Sequence, residues 1–238
     1  VIQLIGEEFT GPLHFVKFWL DIIKDWEKES GKKQLIGLSV TKDVQDSILE
    51  NPNYASLVNI IDIRYWHIQA DGSTYAPQGG QNLAPRQHAR LLKPKKTSFE
   101  QVFESVKTYR LKYPNKAVIY SSDGFDQFGW AVFMAGGSLP VLPSLPNEFL
   151  TAASNMKTIT IPNNKYTLSD GTNYIIYHQG SNLQLSLVDK KANYSLQWIE
   201  PKSGRIIAQE QKLNATAFEN LQRTATTEVI AWVTKLKD

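Results

Sequence analysis

Four short apolar runs in the sequence are each followed at once by side chains able to do chemistry. Glu7-Glu8 follows VIQLIG, Thr41-Lys42-Asp43 follows QLIGLSV, Arg64-Tyr65-Trp66 follows VNIIDI, and Ser122-Asp123 follows AVIYS. Two carboxyls held near each other suit general acid and base work: one, protonated, releases an alcohol while the other, ionised, attacks carbon or orients water. Between the acids runs NIIDIRYWHIQADGSTYAPQGGQNLAPRQHAR, residues 59–90, which after its apolar start has neither helical nor strand periodicity. A connection that long inside a compact domain is functional or disordered. Two aromatics directly after a strand, then Gly-Gly and a series of hydrogen-bonding side chains, do not have a disordered composition. The stretch reads as an ordered loop in which Arg64, Tyr65, Trp66, His67, Gln81, Asn82 and Arg86 wall a site for something polar with flat apolar faces.

Structural readings of the same residues stand beside these. Glu7-Glu8 could open the next helix, where carboxylates favour the amino-terminal dipole. Asp123 precedes Gly124 and could be a turn residue. Arg64, Tyr65 and Trp66 could fill a layer between sheet and helices. His67 and His88 are too isolated to be read as metal ligands, and Asp71-Gly72 reads as a turn rather than a calcium site. Lys93–Lys96 (KPKK) reads as a solvated loop, and Gly136-Gly137 lacks the surroundings of a phosphate loop. No metal and no cofactor is expected.

The elements that must position these groups follow from the pattern. The chain has 238 residues, 42% hydrophobic and 11% aromatic, enough for one large core or two smaller ones. The charge of +3 is the small difference between 26 basic and 23 acidic residues, scattered without a basic stripe, which argues against nucleic acid as a partner. No apolar run approaches a membrane span. Zero cysteines exclude disulfides and thiolate metal sites.

Apolar runs at residues 1–6, 34–40, 58–63, 117–121 and 139–142 are predicted strands. Helices are predicted from Pro12 to Gly31, with Val16, Trp19, Ile23 and Trp26 as its apolar positions, and over 44–50, 98–113 and 128–135. Alternation of this kind indicates β-α-β crossovers, a parallel sheet, and ligands at the carboxyl ends of its strands. After residue 147 the pattern becomes short runs of alternating polarity separated by turn signals. The expected fold is therefore α/β over 1–147 followed by an all-β antiparallel sandwich over 148–238. Tyr174, Tyr177, Trp198 and Trp232 are expected in the core of that second domain. Five strands are little more than half of the eight in a closed barrel. The expectation is that a longer polypeptide, or another chain, supplies the remainder.

The segments EEFTG, LSVTKDVQDSIL, DIRYWHIQADGSTYAPQGGQNLAPRQHARL and GWAVFMAGGSLPVLP resemble bacterial (β/α)8 glycoside hydrolase-like proteins related to glycoside hydrolase family 140, the apiosidases. YIIYHQG, YSLQWIEPKSG and EVIAWVTKL resemble the β-sandwich found there as a collagen-binding-type domain. The resemblance implies the carboxyl-terminal portion of a (β/α)8 TIM barrel, about strands four to eight, with LIGEE as strand four and AVIYSSDG as strand seven. It implies Glu8 as the acid/base and Asp123 in the place of the nucleophile, where Glu is the expected residue; Glu7 stands where Asn is usual. A carbohydrate substrate and a periplasmic, secreted or cell-surface location in a bacterium are further implications. A catalytically inactive carbohydrate-binding or surface-docking protein on the same fold is the alternative.

Overall fold

The computed structural model describes residues 2–5, 10–69, 71–80, 97–122, 124–179, 182–187, 189–219, 221–222 and 228–236. The chain divides into two compact units, Val1–Phe128 with Gly137–Pro140, and Gly129–Gly136 with Val141–Asp238. One is α/β and the other is built on a large antiparallel sheet.

In the first unit the order is β1 (Ile2–Ile5), α1 (Leu13–Ser30), β2 (Leu35–Leu38), α2 (Lys42–Leu49), α3 (Pro52–Ala55), β3 (Val58–Ile63), the hairpin strands β4 (His67–Ile68) and β5 (Thr74–Tyr75), α4 (Phe99–Lys112) and β6 (Ala117–Tyr120). The sheet order is β1-β2-β3-β6, and every pair is parallel. Each strand thus lies beside the sheet strand that precedes it in the chain, with no reversal of direction. The fully buried side chains Ile36, Leu38, Ile61, Ile63 and Val118 of the strands and Val16, Leu20, Ile48, Phe103 and Val106 of the helices form its core.

Local chemistry fixes the helix ends. Ser98 and Gln101 close a reciprocal capping box on α4, with Ser98 N–H donating to the Gln101 side chain at 2.8 Å. Gly31 ends α1 in the left-handed region, φ +65°, its N–H bonded to the Glu27 carbonyl. Of the apolar positions of the first helix, Trp19 and Trp26 are 42% and 41% exposed, and the row that α1 buries is Val16, Leu20 and Glu27. One expectation needs correction here. Residues 139–142 form no strand. Leu139 has φ +52°, and prolines recur at 140, 143 and 146, so an extended run able to donate to a ladder is not available.

The second unit holds α5 (Gly129–Met134), α6 (Asn147–Ser154) and the strands β7 (Lys157–Ile161), β8 (Asn164–Ser169), β9 (Tyr174–His178), β10 (Asn182–Leu183), β11 (Asn193–Ile199), β12 (Ile206–Asn214), β13 (Leu221–Gln222) and β14 (Val229–Lys235). Six strands form one antiparallel sheet, order β12-β11-β14-β9-β8-β7, while β10 and β13 pair separately. One face carries Tyr174, Ile176, Tyr194, Leu196, Trp198 and Val233. Against it pack Leu183 of β10, Leu185 and Leu187 from the chain after it, and Phe218 from a 3-10 turn, Ala215–Glu219. The layer over this face is thus largely irregular chain with a two-residue ribbon. Tyr174, Tyr177 and Trp198 are buried, as expected. Trp232 is half-buried, with Phe149 of α6 edge-on at 5.4 Å. Phe133 and Trp130 of α5 pack on the same Phe149 ring, which explains why residues 129–136 belong to this unit rather than to the α/β one.

Candidate functional site

All four sheet strands of the first unit end at one edge, and the chain there stays bonded beyond the strands themselves. Ser39 N–H donates to the Ile5 carbonyl at 3.3 Å, and Ser121 N–H to the Ile63 carbonyl at 3.1 Å. On this edge lies a group that inspection of the sequence missed. Asp62, the one acid in the apolar run VNIIDI, is 2% exposed, and the Ser121 hydroxyl donates to its two carboxylate oxygens at 2.7 and 2.8 Å. A carboxylate taken out of water needs such donors. One step past the Leu38–Ile61 pair, Ser39 comes level with Asp62, whereas Ser121 lies two residues beyond Ile119, the register partner of Asp62, and its hydroxyl reaches back to the carboxylate. The signal was available: an acid inside a branched apolar strand is rare unless it is paired.

The chain after β3 is not featureless. Arg64 is half-buried, while Tyr65, Trp66 and His67 are 6%, 1% and 6% exposed. The Trp66 ring lies 5.0 Å from Tyr109 of α4, and the Lys42 ammonium sits 5.2 Å above Trp66 and 5.6 Å above Tyr109. Asp46 pairs with Lys42 and accepts the Tyr109 hydroxyl. Burial, then the Asp46 carboxylate, holds the Tyr109 hydroxyl far above its ordinary pKa. Trp66 therefore spends its ring on packing between α2 and α4.

His67 begins the β4–β5 hairpin, which replaces the expected lack of strand structure in this stretch. Its imidazole stacks on Tyr75 at 5.0 Å, and burial lowers its pKa. At the hairpin tip, Asp71 accepts from the Ser73 N–H and hydroxyl, so Asp71-Gly72 is a turn. The chain then crosses back over the ends of β1 and β2. Gly79 N–H donates to both Asp43 carboxylate oxygens at 3.2 and 3.1 Å, and Gly80 N–H to the Thr10 carbonyl at 2.7 Å. Gly79 is needed for this approach: a Cβ there would stand 2.6 Å from Val44 Cγ2, 2.7 Å from Thr41 Oγ1 and 3.0 Å from the Gly11 carbonyl.

At the same edge, Ser39 Oγ, Thr41 Oγ1, Trp66 Nε1 and His67 Nε2 are buried without a hydrogen-bond partner among the described residues. Buried polar atoms are ordinarily satisfied. Such groups can take hydroxyls or other small polar atoms. Of the sequence-predicted site residues, the fold thus brings Arg64, Tyr65, Trp66 and His67 to the sheet's carboxyl edge. Glu8, Asp123, Gln81, Asn82 and Arg86 lie outside the described residues. Among the described residues no group of three or more His, Asp or Glu could hold a metal ion, and no helix is long and apolar enough to cross a membrane.

A family model described as a domain of unknown function, DUF6298, matches residues 1–156. The chain belongs to that family. No curated protein and no solved structure matches it. The DUF6298 match takes in the parallel sheet and its carboxyl edge and ends between α6 and β7, so the six-stranded sheet lies beyond it.

Proposed function

We propose that this DUF6298 protein is a glycoside hydrolase acting on poly- or oligosaccharides, with Glu8 as acid/base and Asp123 as nucleophile or water-orienting base, at the rim of a β/α barrel of which the α/β unit is a part. The observation that supports it most is the sequential, all-parallel order β1-β2-β3-β6. In the sequence Glu8 comes three residues after the last residue of β1 and Asp123 three after the last of β6, two strands of that one sheet, and this spacing supports the assignment. The bonds from Ser121 to Asp62 and Ile63 fix the β6 tip two residues before Asp123. Gly79 and Gly80 lay the loop after the hairpin against the same edge, where the loop's Gln81, Asn82 and Arg86 follow and would wall the substrate. The resemblance to glycoside hydrolase family 140 supports the same assignment, and a polysaccharide substrate suits a periplasmic or cell-surface location.

The test is turnover of aryl glycosides and plant oligosaccharides by the protein produced from its whole natural reading frame. Glu8→Gln and Asp123→Asn should each lower kcat by at least about a hundredfold, the usual contribution of a positioned acid or base. Undiminished turnover in either variant removes that residue from the mechanism. Oligosaccharide binding by the wild type with no turnover of any substrate would favour an inactive carbohydrate-binding protein instead.

A further inference from the structure

From Tyr75 to Gly80 the chain forms a strap at the carboxyl edge of the parallel sheet. One anchor is Tyr75, stacked on His67; the other is Gly79 and Gly80, whose N–H groups donate to the Asp43 carboxylate and the Thr10 carbonyl. Gly79 lies so close on Thr41 that a Cβ there would stand 2.7 Å from Thr41 Oγ1. Four steps of chain, at most about 14 Å, separate Tyr75 from Gly79, so the groups at the two anchors fall within reach of one small ligand. Those groups do not match the strap. Ser39 and Thr41 are wholly buried and Trp66 and His67 nearly so, yet Ser39 Oγ, Thr41 Oγ1, Trp66 Nε1 and His67 Nε2 meet no hydrogen-bond partner among the described residues. Between the anchors the buried residue of the strap is Pro77, which has an apolar ring and no N–H to donate. Thr41 holds the N-cap position of α2, but its hydroxyl makes no capping bond. A buried hydroxyl that neither caps its helix nor meets a neighbour adds nothing to the resting fold. Conflict of this kind between polar groups and their surroundings is expected at functional sites.

We propose that the strap lifts at Gly79-Gly80 and that Ser39, Thr41, Trp66 and His67 then line a subsite for one ring of a neutral polyhydroxy ligand, a sugar unit, whose hydroxyls satisfy them where Pro77 does not. The donors and acceptors select this ligand. The Ser39 and Thr41 hydroxyls donate and accept, the Trp66 indole only donates, and burial favours the neutral His67 imidazole, in which one nitrogen donates and the other accepts. Their partners must therefore do both, as hydroxyls do, and an ammonium cannot accept from the indole. An anion is disfavoured, because the Asp43 carboxylate holds the strap beside Thr41 and the Asp62 carboxylate is level with Ser39, while the Lys42 ammonium is paired with Asp46 over the Trp66 ring. Motion of the strap is local: Gly80 sits at φ +84°, and lifting its end breaks the bonds of two N–H groups without disturbing the sheet ladder. The inference goes beyond the two-carboxylate reading and does not rest on it, since the subsite needs neither Glu8 nor Asp123 and serves a protein that binds sugar without cleaving it.

Hydrogen exchange read by mass spectrometry, with isothermal titration, tests it on the protein made from its natural reading frame. The probes are the neutral disaccharides cellobiose, lactose, xylobiose and arabinobiose, with inorganic phosphate and digalacturonate as anionic controls. Amides of the peptide over residues 75–80 should exchange several-fold faster than those of β2 and β3 in the free protein, and at least one neutral disaccharide should slow them several-fold while neither anion does. Thr41→Val and Ser39→Ala should each weaken the affinity for that disaccharide by about tenfold or more, as expected for a lost hydrogen bond. In the same variants the Tm of the free protein should hold or rise, because each removes a buried hydroxyl that has no partner at rest. A fall in Tm of several degrees in both variants would show the hydroxyls to be structural and overturns the proposal. Failure of every neutral disaccharide to protect the strap overturns it, and so does equal protection by either anion.

Discussion

Gly79→Ala is the most direct probe of whether the loop after the hairpin is seated on the carboxyl edge of the sheet. The added methyl would meet Val44 Cγ2 at 2.6 Å, Thr41 Oγ1 at 2.7 Å and the Gly11 carbonyl at 3.0 Å, all closer than van der Waals contact. Two of these belong to the start of α2 and one to the backbone before α1, so no single side-chain rotation relieves them. Overpacking of this kind costs about 1 to 3 kcal/mol. Taking ~2 kcal/mol and a unit of this size, Tm should fall by roughly 8 °C. Gly72→Asn is the matched control. Gly72 has φ +82° but open space where a Cβ would go, and Asn tolerates that conformation, so its effect should stay within about 0.5 kcal/mol. Removing the nearest obstacle supplies a second arm. In the double variant Gly79→Ala with Val44→Ala, the two changes should couple favourably by at least ~0.5 kcal/mol. Urea unfolding followed by tryptophan fluorescence and near-ultraviolet circular dichroism measures the wild type, Gly79→Ala, Gly72→Asn, Val44→Ala and the double variant. If Gly79→Ala costs no more than Gly72→Asn and shows no coupling to Val44, the loop does not cross between Thr41 and Gly11, and the proposed substrate wall loses its anchor.

Two further outcomes follow from the buried groups around Trp66. Tyr109→Phe removes the donor to Asp46 from a side chain that is 2% exposed, and should lower stability by about 1 to 3 kcal/mol in urea titrations; in the wild type, because Tyr109 is held above its ordinary pKa, stability should fall as pH rises past about 10, where the unfolded chain ionises first. His67 has its pKa lowered by burial, so the unfolded state takes up the proton first as pH falls through about 6.5. Its contribution is full above that value and is lost below it, with a slope of at most ~1.4 kcal/mol per pH unit. Thermal melts between pH 7.5 and pH 5 should therefore flatten in His67→Phe, and an unchanged slope would show that His67 is not the group responsible.

Much of the scaffold was legible because its signals are local. Short branched runs, Gly31 after the first helix and Ser98 three residues before Gln101 each state a backbone preference within a few residues, and they became strands, a left-handed cap and a capping box. The candidate site was legible only in part. Arg64, Tyr65, Trp66 and His67 do stand at the carboxyl edge. That Trp66 packs under Lys42 against Tyr109 depends on α2 and α4, which meet it from 24 residues before and 43 after in the sequence. Asp62 was passed over because a carboxylate in an apolar strand has meaning only once Ser121, 59 residues away, supplies its donor.

By itself the sequence determined the order of elements and the change from helix-and-strand alternation to strand repeats, since both depend on periodicity along the chain. Only the tertiary structure decided which strands are neighbours, which aromatic faces are spent inside, and that Trp19 and Trp26 line an open seam rather than the core. An amphipathic pattern states that a face is apolar. It does not state what will cover that face, because burial is a property of two surfaces and the sequence of one element describes only its own.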